Sequence, residues 1–176
     1  LYEQEGNIYK AREFLEGMAA ERPRDPVLRR RLARFYRDTH DQVAYINALK
    51  SQISLRYSEQ ACRELVSVLR LNGAFGEEQA ALQACRQKGY RRPEDLARLA
   101  FLLNAGGDAG QAATILRSID DLKRLNDAGA RYQLLSLLLE LDQPKEAERR
   151  CLRWIKASKD DALAVSLIEI IARSKY

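Results

Sequence analysis

The sequence predicts an all-α protein, a right-handed superhelical solenoid of antiparallel helix pairs with about ten helices and no β-sheet. Two observations support this prediction. The stretch from Pro93 to Ile119 has the pattern of a helix, a glycine turn and a second helix, and the same design recurs along the chain at a nearly fixed interval. Repeats of roughly 20–50 residues are typical of solenoids, in which each unit buries its apolar face against its neighbours.

The first helix of this stretch has both a start signal and an apolar stripe. Pro93 suits the first turn of a helix, where its missing N–H costs nothing. The apolar residues that follow are spaced at i, i+3, i+4 and i+7, namely Leu96, Leu99, Ala100 and Leu103. This spacing places them on one face, so the helix needs a partner to cover it.

The turn and the second helix follow directly. Gly106 and Gly107 predict the end of the first helix, because glycine accepts the left-handed cap conformation at little cost. Asp108 can then cap the second helix, in which the small side chain of Ala112 allows the paired helices to approach closely. Neither helix is long enough to be stable alone in water, so the pair is the structural unit.

The same pattern divides the whole chain into consecutive parts. Residues 1–25 form the end of a repeat, 161–176 form the first helix of a further repeat, and the complete helix pairs are 26–57, 58–92, 93–127 and 128–160. Because both ends fall inside a repeat, we expect the sequence to be part of a longer array. The turns within pairs are predicted at Thr39–Asp41, Asn72–Gly76, Gly106–Gly107 and Asp142–Pro144.

A single residue early in each second helix measures the repeat length. Ala11, Tyr45, Ala80, Ala112 and Ala147 are separated by 34, 35, 32 and 35 residues. At this point the chain resembles the tetratricopeptide family, whose repeat is a 34-residue helix–turn–helix. The resemblance covers essentially the whole chain and is clearest at Leu99-Ala100, Leu103, Gly107, Ala112, Leu116 and Ile119.

The chain departs from the family pattern in three ways. No first helix has the frequent early tryptophan, Tyr45 stands where alanine is usual, and the closing proline is clear only at Pro23. These departures shift individual boundaries by a few residues and leave the repeat intact. Pentatricopeptide repeats and other helical-pair repeats have a similar period and are the structural alternatives.

The charge pattern places a basic face on the first helices. The net charge is +5, and most of the 30 basic residues are arginines interleaved with acids. In a solenoid of this kind the first helices line the concave wall, where we predict a cationic groove in the N-terminal half and a more aromatic wall further along. The predicted partner-binding residues are Arg30, Arg34, Arg37, Arg63, Arg70, Phe101 and Tyr132.

Two interpretations of these arginines remain open. Arginine binds carboxylates bidentately, so the groove suits an acidic peptide, an acidic protein surface or another anionic chain. Alternatively, the arginines form a solvated face that pairs with Glu and Asp of neighbouring helices.

Catalytic, metal and cofactor sites are not predicted. His40 is the only histidine and lies in a turn, so the sequence has neither a histidine metal pair nor a serine or cysteine relay. Phosphate-binding glycine motifs do not occur either, and Gly106-Gly107 is interpreted as a helix stop. No apolar run approaches the roughly 20 residues that span a bilayer.

The three cysteines are predicted to be buried small apolar residues. Cys62 and Cys85 lie on paired antiparallel helices, one near a start and one near an end, so their side chains can meet. We therefore hypothesise a disulfide between them if the compartment is oxidising. Cys151 has no such partner.

Two classes of function remain, a protein–protein interaction scaffold and a direct binder of an anionic polymer. Nucleic acid is disfavoured, because acids interrupt the basic residues and no aromatic series lies within the basic stripe to stack on bases. Salt dependence distinguishes the two classes, since polymer binding through arginines weakens steeply with added salt.

A narrower resemblance concerns the arginine-, alanine- and leucine-rich degenerate repeats. They look like the periplasmic tetratricopeptide portion of bacterial outer-membrane exopolysaccharide export proteins, particularly the Pel type. That resemblance implies a periplasmic scaffold, attached to an outer-membrane protein, that recruits a polysaccharide deacetylase or hydrolase. The alternative is a cytoplasmic adaptor or assembly factor that binds an acidic peptide.

Overall fold

A computed structural model describes residues 7–119 and 128–157, together with positions 165, 168, 169 and 172. Within those residues it contains nine α-helices and no strand. The helices are α1 (Ile8–Glu21), α2 (Pro26–Asp38), α3 (Gln42–Leu55), α4 (Glu59–Leu71), α5 (Phe75–Gln87), α6 (Pro93–Ala105), α7 (Ala109–Ser118), α8 (Ala128–Glu140) and α9 (Pro144–Ala157).

The chain forms two compact units, of which the first ends at Tyr90 and the second begins at Arg91. Helices α1 to α5 belong to the first unit and α6 to α9 to the second. In both units the helices that short turns connect pack against each other, α2 on α3, α4 on α5, α6 on α7 and α8 on α9. The predicted all-α fold of paired helices is confirmed. The description of residues 1–176 as a single array, with its repeat boundaries, stays a prediction.

The four turns within helix pairs share one backbone design. In each, a residue with positive φ ends the first helix, and these residues are His40, Gly73, Gly107 and Asp142, separated by 33, 34 and 35 residues. The next residue donates its N–H to a carbonyl five residues earlier, which satisfies one of the helix's orphan acceptors, as Asp108 does to Leu103 at 2.8 Å. The turn is therefore the most regular marker of the repeat.

This marker corrects the predicted repeat position in α5. Ala80 was predicted to be the small buried residue, but Ala80 and Ala84 are exposed and Glu78 is fully buried instead. The register differs because α5 begins at Phe75, within the predicted turn. The turn is shorter than predicted, since Gly73 alone supplies the left-handed conformation. The corrected series is Ala11, Tyr45, Glu78, Ala112 and Ala147, spaced by 34, 33, 34 and 35 residues, and every member is buried.

Two further boundary predictions differ from the structure or fall outside it. Pro144 was assigned to the turn before α9 and is instead its first residue, a position that tolerates proline because no helical N–H is needed there. The predicted helix at residues 161–173 lies outside the described residues, apart from four helical positions, 165, 168, 169 and 172.

Side-chain caps fix where several helices begin. Asp41 accepts a hydrogen bond from the Ala44 N–H at 3.1 Å, and Asp108 accepts one from the Gln111 N–H at 3.0 Å. Each such cap stabilises a helix by about 1 kcal/mol, because it satisfies an otherwise unpaired donor. These capping aspartates immediately follow the positive-φ residues, so turn and cap together set the register of each second helix.

A disulfide joins the predicted pair Cys62 and Cys85, which connects α4 to α5 within the first unit. The Cα atoms are 6.0 Å apart, and both side chains are buried. Cys151 is a buried free cysteine in the second unit, and burial raises the pKa of its thiol. The remaining core is mainly leucine and alanine, which fill the space between paired helices.

Candidate functional site

The turn marker places the predicted arginines at equivalent points of two first helices. Arg30, Arg34 and Arg37 in α2 lie ten, six and three residues before the positive-φ residue of their turn. Arg63 and Arg70 in α4 lie ten and three residues before theirs. All five side chains are exposed. The sequence therefore predicted a set of residues on one face of the helices, although only some of them meet.

Arg30, Arg34 and Arg37 converge on one pocket of about 170 Å³ in the first unit. Gln60 and Glu64 of α4 line the same pocket. The remaining lining residues are small, apolar or uncharged, namely Ala33, Leu49, Gln52, Ser58 and Ala61. The structure thus brings the three α2 arginines together, and their predicted role in partner binding stays a prediction.

Two further pockets extend this one along α2. One, of about 360 Å³, lies at the start of the helix and includes Arg30, Arg56 and Tyr57. The other, of about 290 Å³, lies at its end and includes Arg37 and His40. Arg30 and Arg37 are each shared with the central pocket, and we call the combined lining of the three pockets the α2 groove. The thirteen residues of α2, along which it lies, span about 20 Å.

The basic charge of the α2 groove is compensated only in part. Arg30 and Arg34 make no ion pair with any residue in the described ranges. Arg37 pairs with Asp38 at 3.0 Å, and this hydrogen bond raises the Arg37 pKa, but the pair is exposed and so contributes little to stability. The groove therefore presents three guanidinium groups on one side of an open channel.

Glu64 is the one acidic residue among those that line the three pockets. Its carboxylate accepts hydrogen bonds from the Tyr45 hydroxyl at 2.6 Å and from the Gln60 amide at 2.9 Å. Burial and the Glu64 carboxylate together raise the pKa of Tyr45. Two donors thus hold the carboxylate in place, and its charge helps to raise the pKa of Arg37.

The α4 arginines do not line the α2 groove. The Arg70 Nε lies 2.7 Å from an Oε1 of Glu78, whose side chain is completely buried. An ion pair to a buried carboxylate has a structural role, because an unpaired buried charge is strongly destabilising. Arg63 is exposed and lies outside the three pockets. Their predicted role in partner binding stays a prediction.

The two aromatic residues predicted as anchors belong to the second unit. Phe101 in α6 is half-buried, and the Arg98 guanidinium carbon lies 5.4 Å from the centre of its ring. Tyr132 in α8 is 53% exposed. Helices α6 and α8 pack against each other, so both residues lie on neighbouring first helices of one unit. Their role as anchors stays a prediction.

Gln60, Glu64, Arg56 and Tyr57 line the groove but were not predicted. Arg56 and Tyr57 lie between α3 and α4, a connection whose position depends on how the helix pairs stack. One signal for Glu64 was present in the sequence, since Tyr45 stands where a small residue is usual and its hydroxyl needs a partner.

Metal-binding clusters and membrane-spanning helices do not occur among the described residues. Within that part of the chain, no three or more His, Cys, Asp or Glu side chains are grouped so as to hold a metal ion. Nor does any helix described there combine the length and apolar composition needed to cross a membrane.

No protein-family model and no curated protein sequence matches the chain, whereas several solved structures are similar to it. YrrB, described as a tetratricopeptide protein with an unusual peptide-binding site, is 12% identical, with a TM-score of 0.57 over 91% of both chains. TTC0263 of Thermus thermophilus, another tetratricopeptide protein, is 17% identical, with a TM-score of 0.52 over 95% of this chain and 92% of its own. MamA is 15% identical, with a TM-score of 0.51 over 97% of this chain and 90% of its own. At these identities the similarity shows the fold alone: the chain has the tetratricopeptide fold.

Proposed function

We propose that this protein is a non-catalytic protein–protein interaction scaffold whose α2 groove holds an acidic segment of its partner. The observation that carries the proposal is the convergence of Arg30, Arg34 and Arg37 on one open groove, two of them without an ion pair to any described residue. Guanidinium groups form paired hydrogen bonds with carboxylates, so an acidic ligand replaces the water that solvates them. The fold supports the same function, because YrrB, which has the tetratricopeptide fold, is described as having a peptide-binding site.

The proposed setting is a bacterial exopolysaccharide export assembly. In it, the scaffold is periplasmic, attached to an outer-membrane protein, and recruits a polysaccharide deacetylase or hydrolase to the export pore. The disulfide between Cys62 and Cys85 supports an oxidising compartment, because disulfides persist in the periplasm and are rare in the bacterial cytosol. The sequence resemblance of the arginine-rich repeats supports the class of assembly.

Charge reversal in the groove tests its role in recruitment. We expect the triple variant Arg30→Glu, Arg34→Glu, Arg37→Glu to lose co-purification with the deacetylase or hydrolase of the producing strain, because repulsion replaces three attractive contacts. The matched control changes three exposed basic residues outside the groove by the same total charge, Arg24→Glu, Arg31→Glu and Lys88→Glu. Equal binding by both variants, with unchanged helicity by circular dichroism, would remove the groove from the proposal.

The compartment is tested separately by trapping thiols in the producing cell. After rapid acid quench and alkylation, we expect Cys62 and Cys85 to resist modification until a reductant is added. Cys151 serves as the internal control, because it is a free cysteine and becomes alkylated once the quenched protein is unfolded. If Cys62 and Cys85 are alkylated without reductant, the periplasmic setting is wrong, although the scaffold function is unaffected.

A further inference from the structure

We propose that Glu64 makes the α2 groove select an extended segment in which acidic residues alternate with hydrogen-bond donors such as lysine or asparagine. This inference rests on the proposed function, since it concerns which acidic segment the same groove accepts. It assigns Glu64 the role of a specificity-determining residue, distinct from the arginines that attract the ligand.

The spacing of the arginines matches an extended chain. Arg30 and Arg34 are one helical turn apart, an axial separation of about 6 Å. In an extended segment, side chains two residues apart point to the same side and lie about 6.8 Å from each other. Acidic residues at alternate positions therefore reach Arg30 and Arg34 together, and the groove length of about 20 Å accommodates about six residues.

The side chain between two such acids points away from α2 and toward α4. There it meets the carboxylate of Glu64 and the amide group of Gln60. Gln60 and Tyr45 each donate one hydrogen bond to Glu64, and the carboxylate oxygens retain lone pairs that can accept more. The α4 wall thus offers acceptors to the intervening side chain, which therefore needs to be a donor.

The same carboxylate disfavours a ligand that is acidic at every position. Tyr45 and Gln60 hold it in the pocket that Arg34 and Arg37 also line, so it does not swing away when an anion enters. A second carboxylate beside it meets a like charge in a partly desolvated site. A uniformly anionic chain is therefore a poorer ligand than a segment of alternating charge, even though it carries more negative charge.

Binding of three capped, fluorescent peptides in about 0.15 M salt tests the inference. One peptide alternates as Glu-Lys-Glu-Lys-Glu, the second has the same composition in blocks as Glu-Glu-Glu-Lys-Lys, and the third contains five glutamates. We expect the full chain to bind the alternating peptide about fivefold more tightly than the block peptide, a ratio typical of one partly exposed charged contact. We expect Glu64→Gln to bring that ratio close to one and to strengthen binding of the five-glutamate peptide.

Two variants control the measurement. In Glu64→Gln the amide oxygen still accepts the Tyr45 hydroxyl, so packing is preserved while the charge is removed. Glu59→Gln removes the same charge from an exposed residue of α4 outside the three pockets, and we expect it to leave the fivefold ratio unchanged.

The outcomes separate this inference from the proposed function. Equal binding of the alternating and block peptides, abolished for both by Arg34→Glu, would overturn the selectivity and leave intact the proposal that the basic α2 groove binds acidic segments. Absence of any binding that depends on Arg34 would overturn both. A preference for the alternating peptide that survives Glu64→Gln would overturn the role of Glu64.

Discussion

The two units differ most clearly at one position of their second helices. In the second unit, the fourth residue after the N-cap is alanine in both helix pairs, Ala112 and Ala147, and both are completely buried. In the two helix pairs of the first unit the same position carries Tyr45 and Glu78, which are also buried, whereas α1 carries Ala11 there. The backbone register is the same, but the two helix pairs of the first unit fill it with large polar side chains.

This difference shows how polar side chains of the second helices position charged groups on the first helices of a repeated scaffold. Tyr45 reaches Glu64 on the following first helix, and Glu78 pairs with Arg70 on its own partner helix. Each bond orients a charged group on the first helices. Alanine offers no such bond, so in the second unit the position serves only packing.

The first helices of the two units also differ, because α2 carries charged residues where α6 carries uncharged ones. The positions of Arg30, Arg34 and Arg37 in α2 correspond to Ala97, Phe101 and Asn104 in α6. Ala97 is buried, and Asn104 donates a hydrogen bond to Glu140 at 2.9 Å. A cationic groove is therefore a property of the first unit's side chains and does not follow from the fold.

The largest expected effect comes from placing the tyrosine of the first unit at the equivalent buried position of the second unit. We expect Ala112→Tyr to lower the free energy of unfolding by about 3 kcal/mol, because the site is fully buried and has no space for a ring. Guanidinium denaturation followed by circular dichroism measures this. The control Ala80→Tyr should stay within about 0.5 kcal/mol of the parent, because Ala80 is exposed. A large loss of stability in Ala80→Tyr would show that Ala80 is buried and that the register predicted from the sequence is correct.

The disulfide gives the next largest effect and is confined to the first unit. Cys62 and Cys85 enclose a loop with a sequence separation of 23, and loop-closure entropy predicts that reduction lowers stability by about 3 kcal/mol. We expect a reductant to shift the denaturation midpoint of the parent protein. The double variant Cys62→Ala, Cys85→Ala should show no such shift, whereas Cys151→Ala should behave like the parent. A midpoint insensitive to reductant would contradict this prediction.

A smaller effect is expected from exchanging the turn residues of the two units. His40 has φ 58° and Gly107 has φ 87°, in a region that non-glycine residues enter at a cost of about 1 kcal/mol or more. We expect His40→Gly to raise stability by about 0.5–1 kcal/mol and Gly107→His to lower it by about 1 kcal/mol. Thermal denaturation measures both, at about 2–4 °C per kcal/mol. Changes of the same sign would show that the two turns are not equivalent.

The smallest effect concerns acid sensitivity in the first unit. The Tyr36 hydroxyl and then Arg12 lower the pKa of Glu16, while the Ala44 N–H and then Arg12 lower the pKa of Asp41. A lowered folded-state pKa contributes stability above the unfolded value and loses it as pH falls through the folded value. We expect the unfolding free energy to decline once the pH drops below the ordinary values of 4.5 and 3.8.

The acid effect is small because both carboxylates are partly exposed and solvent screens their interactions. Arg12→Gln should flatten the decline, since the Arg12 Nη2 lies 2.7 Å from an Asp41 oxygen and bonds to Glu16 as well. Titration of the denaturation midpoint between pH 7 and pH 3 tests this. A decline of equal steepness in the parent and the variant would exclude Arg12 as its cause.

Much of the fold was predictable because its signals are local. The apolar stripe of α6, the Gly107 turn and the Asp108 cap each depend on neighbouring residues, and the structure confirms each one. The start of α5 was predicted wrongly because the prediction used local signals alone. Ala80 and Glu78 lie only two residues apart, and local pattern favoured the alanine, whereas burial of Glu78 depends on Arg70 in the partner helix.

The candidate site was predictable in part. Sequence spacing alone placed Arg30, Arg34 and Arg37 on one helix face, because helical periodicity decides which residues share a face. Which residues face them across a groove depends on contacts between segments far apart in the chain. Periodicity carries no information about those contacts, so Gln60, Glu64 and Arg56 were missed.

The sequence by itself determined the all-α repeat, the helix pairs and the face that carries the arginines, because turns, caps and periodicity act within a few residues. Only the tertiary structure decided that Arg70 pairs with buried Glu78, whereas Arg30 and Arg34 remain open to a ligand. It also decided that Glu64 lines the same pocket as these arginines. The physical reason is that burial and ion pairing depend on how helices stack, and stacking brings together residues that the chain keeps apart.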